Sequence, residues 1–108
     1  MSGFTSTAHV PTTSASKYLQ QLCKHWSHNL VVEFSAHEGR VIFPKDARGA
    51  NHPGDAVVTF TAQAETLDVT IAASSVEQRN GLKGAVSRHV DRFAFREAPL
   101  QFEWVDAA

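Results

Sequence analysis

A chain of 108 residues, 43% hydrophobic and 19% charged, has the size of one compact domain able to bury a core without staples. Ten basic and eleven acidic residues leave a formal net charge of -1, which removes the global field that would recruit nucleic acid or an anionic membrane. The single cysteine, Cys23, excludes an intramolecular disulfide.

The start "MSGFTSTAHV" has neither a positive n-region nor an apolar h-region, and no apolar run approaches the roughly 18 residues of a membrane span. A cytoplasmic chain without membrane contact is the expectation. Phe4, Ser6, Ala8 and Val10 then alternate with Thr5, Thr7 and His9 as a strand stopped by Pro11. The hydroxyls of "PTTSAS" are able to cap a helix predicted over about Ala15 to His28, on which Tyr18, Leu19, Leu22, Cys23 and Trp26 share one apolar face. "LVVEF" and "GRVIF" read as a hairpin joined through "SAHEG", with Gly39 expected to take a positive φ in the turn.

Residues 44–55, "PKDARGANHPGD", break all periodicity and read as a flexible loop, taken as an insertion rather than a functional lid. Two clear strands follow. One carries Ala56, Val58, Phe60 and Ala62 on a single face, the other Leu67, Val69, Ile71 and Ala73, with Thr59, Thr61, Asp68 and Thr70 opposite on a side expected to be wet. "SSVE" offers a capping box from Ser74 to Glu77 for a second helix with the stripe Leu82, Val86, Val90 and Phe93, whose start Asn80 and Gly81 are expected to delay. Beyond Pro99 a last strand is expected over Leu100, Phe102 and Trp104.

The order β-α-β-β-β-β-α-β, rich in hairpins and without repeated strand-helix units, predicts an α+β fold over residues 1–108. Its expected form is a two-layer sandwich, a mostly antiparallel sheet of five to six strands with both helices on one face.

The residues with chemistry cluster on the two helices. In "CKHWSHN", Cys23 sits on the apolar stripe and reads as a small core hydrophobe rather than a nucleophile. His25 and His28, three apart at a helix end, either complement the helix macrodipole or approach one ligand or metal ion. His89 falls on the buried side of the second helix. It needs a partner, either a backbone carbonyl or Tyr18 in a structural role, or a ligand in a cleft. Arg88, Arg92 and Arg96 recur every four residues, as a solvated face or as an anion clamp. "GLKG", Gly81 to Gly84, is similar to the nucleic-acid grip of KH domains, but it interrupts an amphipathic helix in a near-neutral chain and is set aside. Fingerprints for hydrolases, NTPases, dinucleotide enzymes and zinc ribbons are missing from the sequence.

The segments "STAHVPTTSASKYLQQLCKHWSHN" and "RHVDRFAFREAPLQFEW", with the strand pairs between them, resemble the bacterial family catalogued as domain of unknown function 2218. The matching positions are His9, Tyr18, Leu22, Cys23, His25, His28, His89, Arg92, Phe93, Arg96 and Trp104. Members of that family occur beside, or fused to, flavin-binding siderophore-interacting proteins, so the resemblance implies a part in iron acquisition, with such a flavoprotein or an anionic iron chelate as partner. The expectation is therefore an accessory binding module for iron, siderophore or haem. Tyr18, Trp26, Arg92 and Arg96 are expected to contact the ligand, and His25, His28 and His89 to be candidate ligands for iron, haem iron or zinc. Two rivals stand beside it: a small enzyme using His89 with His25 or His28 as acid and base, and an oligomeric interaction domain whose histidines are purely structural.

Overall fold

The computed structural model describes residues 3–107, so Met1, Ser2 and Ala108 of the expected unit lie outside it. Its elements are β1 (Phe4–Pro11), α1 (Ala15–Trp26), β2 (Val31–Phe34), β3 (Glu38–Phe43), a short 3₁₀ turn (Ala47–Gly49), β4 (Ala56–Ala62), β5 (Thr66–Ala73), α2 (Val76–Phe93) and β6 (Val105–Ala107). The six strands form one open sheet in the order β2-β3-β4-β5-β1-β6, antiparallel throughout. The expected α+β class and element order are both met.

Register explains which face is covered. Gly39 pairs with Phe60, Phe60 with Val69, and Val69 with Ala8, while Val41, Val58, Ile71 and Ser6 form the next row. Because side chains alternate across a strand, these rows present one continuous apolar surface. Leu19, Leu22 and Cys23 of α1 and Val86 and Val90 of α2 are fully buried in the same cluster as those strand residues. Each such Leu or Val withdrawn from water contributes roughly 1.5–3 kcal/mol. The opposite face holds Thr7, Thr70 and Thr59 in one row and, with no helix across it, keeps the polar character expected of it.

Several local expectations are corrected. Helix α1 ends at Trp26, two residues early, because Ser27 turns its hydroxyl back onto the Lys24 carbonyl at 2.7 Å and the chain folds into a turn through His28 and Asn29. Gly39 is not a turn residue; it lies within β3, where an added Cβ would stand 2.8 Å from the Cys23 sulfur, so its role is to let α1 approach the sheet. The cap of α2 is Ser75 rather than Ser74: its side chain accepts from the Gln78 N–H at 3.1 Å, and Gln78 Oε1 in turn accepts from the Ser74 N–H at 2.7 Å. The box is shifted by one residue, and α2 runs unbroken through Asn80 and Gly81.

The last strand also begins later than expected. Leu100, Phe102 and Trp104 do turn to one side and pack against the core, while Gln101 and Glu103 are exposed. The Leu100 N–H is donated to Asp91 Oδ1 at 3.1 Å rather than to a strand, and pairing with β1 starts only at Val105 opposite Thr7. Alternating burial here reflects packing without a ladder.

Candidate ligand-binding cleft between the two helices

The end of α1, one face of α2 and the segment after β3 enclose a cleft of about 620 Å³. That is within the range of roughly 300–1,000 Å³ typical of small-molecule sites. Helix α2 supplies one wall with Glu77, Gly81, Leu82, Ala85, Arg88 and His89, whose spacing of three or four residues keeps them on one side of the helix. The α1 end adds His25 and Trp26, then Asn29 and Leu30 in the turn. Phe43, Asp46 and His52 close the third side.

That third side is the segment expected to be a loop without a role. It is hydrogen-bonded into the fold: the His52 N–H donates to the Lys45 carbonyl at 3.0 Å, and the Lys45 N–H to Asp55 Oδ1 at 2.8 Å. The Gly54 carbonyl accepts from the Gln78 side chain at 3.0 Å and from Ser74 Oγ at 2.9 Å, fastening the segment to the start of α2. The capping residues of the helix thereby position one wall of the cleft.

An aromatic cluster forms its floor. The Trp26 ring lies 5.2 Å from Phe43 edge-on, 5.2 Å from His89 and 6.1 Å from Phe60, and His25 lies 5.6 Å from His89 and 5.8 Å from Phe93. Packing the two helix stripes on the sheet brings the imidazoles together. His89 Nδ1 is 2.6 Å from the Ala85 carbonyl. A carbonyl only accepts, so Nδ1 carries a proton, and in the uncharged form of the ring Nε2 is the acceptor or metal donor. Burial, and then the nearby positive charge of His89, Arg92 and His28, holds the His25 pKa below the usual histidine value. An uncharged His25 is thus favoured at this wall.

The remaining predicted site residues divide. His28 is exposed in the turn after α1 and does not line the cleft. Among the described residues no group of three His, Cys, Asp or Glu side chains is placed to hold a metal ion. Tyr18 is buried away from the cleft and donates its hydroxyl to the Glu97 carboxylate, which also accepts from Thr12 Oγ1 at 3.1 and 3.2 Å. That hydrogen bond to Glu97, together with burial, raises the Tyr18 pKa and makes the residue a tie between α1 and the segment after α2. Arg92 acts on His25 only through its charge, and Arg96 sits with its guanidinium 5.8 Å from the Phe95 ring. Of the three arginines in the stripe, Arg88 is the one in the cleft lining. Cys23 is fully buried and its thiol is pushed up to about 11 by burial, which fits the core role expected of it.

Sequence reasoning did not put forward Arg88 on its own, nor His52, Asp46, Glu77 and Phe43. For Arg88 the only signal was its place in the arginine stripe beside His89, since it is exposed and lies off the buried face of the helix. For the segment after β3 there was none, because a wall built by a loop has no periodicity.

The fold is shared with a protein of known structure, described as the NMR structure of PA4090 from Pseudomonas aeruginosa. The two chains are 26% identical, with a TM-score of 0.72, over 94% of this chain and 95% of the other. No curated protein matches the sequence. A family model covers residues 7–105, spanning both helices, β2 to β5, β1 from Thr7 on and every residue of the cleft, and by that match the chain belongs to DUF2218, a family described as uncharacterized protein conserved in bacteria.

Proposed function

We propose that this chain is an accessory binding module whose ligand occupies the cleft between α1 and α2, and that the ligand is an iron compound, either haem or a ferric chelate. The observation that carries the reading is the His25–His89 pair, 5.6 Å between rings, opening on a 620 Å³ cleft walled by Trp26 and Phe43. Aromatic walls suit a flat ligand, and one imidazole held in a single tautomer by the Ala85 carbonyl presents Nε2 without a reorganisation cost. Two imidazoles offer at most two donors, which suits a metal that arrives with its own ligands. The link to iron rests on the company that members of the DUF2218 family keep with siderophore-interacting proteins, and Arg88 takes the anion-contact role first expected of Arg92 and Arg96.

The test is titration of the protein, purified without a histidine tag, with haem and with ferric 2,3-dihydroxybenzoate, followed by absorption and by tryptophan fluorescence in a Trp104→Phe background that leaves Trp26 as the reporter. Binding by the parent and a tenfold or greater loss in His25→Ala and His89→Ala is expected, with thermal unfolding showing both variants folded. Parent protein that binds neither compound, or variants that bind as the parent does, overturns the proposal.

A further inference from the structure

Two glycines of α2 have no ordinary reason to be in a helix interior, where each is unfavourable relative to alanine. Gly81 lines the cleft, and a Cβ built there would meet nothing within 4 Å. The protein's own packing therefore does not require its bareness. Gly84 is different: a Cβ there would come 2.9 Å from a terminal nitrogen of Arg88, so the guanidinium lies folded back over this glycine. Three residues, about 4.5 Å of helix axis, separate the two positions. Among the described residues Arg88 makes no ion pair, whereas Arg40 and Arg79 both do.

Resting on the cleft reading above, we infer that Gly81, Gly84 and Arg88 form an anion subsite, recognising a ligand with a flat apolar body and a carboxylate, sulfonate or phosphate group. The body lies on the bare backbone at Gly81, against Leu82 and Trp26. The anion meets the guanidinium, which stays open to solvent and which Gly84 lets fold back along the helix. A planar fork laid in a partly apolar cleft is suited to bidentate contact with such a group. The "GLKG" motif thus has a use unrelated to nucleic acid.

Two fluorescent probes separate these parts: 8-anilinonaphthalene-1-sulfonate and N-phenyl-1-naphthylamine, which share an apolar body and differ in the sulfonate. The parent is expected to bind the sulfonate more tightly. Arg88→Gln should lose about tenfold of that affinity, the worth of one charge-assisted hydrogen bond, and leave the uncharged probe unaffected. Gly84→Ala displaces only the flexible end of Arg88 and should reproduce the selective loss. Gly81→Leu should weaken both probes while raising Tm, since leucine is the better helix former, and the higher Tm shows that the variant is folded. If the parent binds both probes and these variants bind them unchanged, the subsite is wrong while the cleft stands. If the parent binds neither probe, the cleft reading falls and the subsite with it.

Discussion

A methyl group added at Gly39 would stand 2.8 Å from the sulfur of Cys23 and 3.5 Å from a methyl of Leu19. Both neighbours are fully buried, so neither has free space to retreat into. Gly39→Ala is expected to destabilise the fold by about 1–3 kcal/mol, the usual cost of overpacking, read as a lower denaturation midpoint with an unchanged slope. A midpoint equal to the parent's would mean that α1 slides without cost. The close approach also bears on the heptapeptide "CKHWSHN" at the end of α1. Cys23 and Trp26 face the sheet, His25 turns to α2, and His28 leaves the helix altogether. The separation of Cys23 from His25 by about 200° of helical rotation was legible from spacing alone. That His28 would depart was not, because the α1 end depends on Ser27 closing onto the Lys24 carbonyl.

At the scale of elements, α2 carries most of the cleft and its start is the most connected point in the fold. Ser75 caps the helix, Gln78 bonds Ser74 and Gly54, and Ser74 both donates to Gly54 and accepts from it. Ser75→Ala should cost about 1 kcal/mol, as other N-cap losses do, and amide hydrogen exchange should accelerate in the first turn of α2 and around Gly54 together. Exchange confined to the helix would show that the loop does not depend on the cap. The strands with period-two burial and the two helix stripes could be read in advance because each element repeats its pattern four or more times, as Leu67, Val69, Ile71 and Ala73 do. Features set by one contact between distant segments left no such trace. The wall formed by Phe43, Asp46 and His52 depends on Gly54 meeting Gln78, and Leu100 to Trp104 alternate like a strand while the ladder waits for Val105. The one-residue shift of the capping box belongs with them, since Ser74 and Ser75 are chemically identical candidates and Gln78 is as able a partner as Glu77.

For the molecule as a whole, titration sets two regimes of stability. Burial and neighbouring positive charge lower the His25 pKa, so the unfolded chain binds the proton more readily. Stability from this group is complete above about pH 6.5, the ordinary histidine value, and is lost as pH falls through that value toward the folded pKa. Asp68 and Asp106 are also lowered. For Asp68, burial pushes upward but is outweighed by hydrogen bonds from His9, Thr66 and Gln63; for Asp106 the hydrogen bonds from Lys83 and Ser6 lead. Their contribution persists above the ordinary aspartate value of about 3.9 and fades below it. Denaturant midpoints are expected to fall first as pH drops below about 6.5 and again below about pH 4, with His25→Gln removing the upper step alone; a single acidic transition in both proteins would contradict this. The sheet order has a consequence in time. β1 is made before every other strand, yet its two neighbours, β5 and β6, are the last two to be made. On the ribosome α1 and the β2-β3-β4 meander can assemble while the first strand has no partner; β5 then pairs one edge of it, and only the arrival of Val105–Ala107 seals the second. Nascent chains therefore spend the longest interval with β1 unpaired, and in that interval a chaperone, or the same strand of a neighbouring chain, has most access to it.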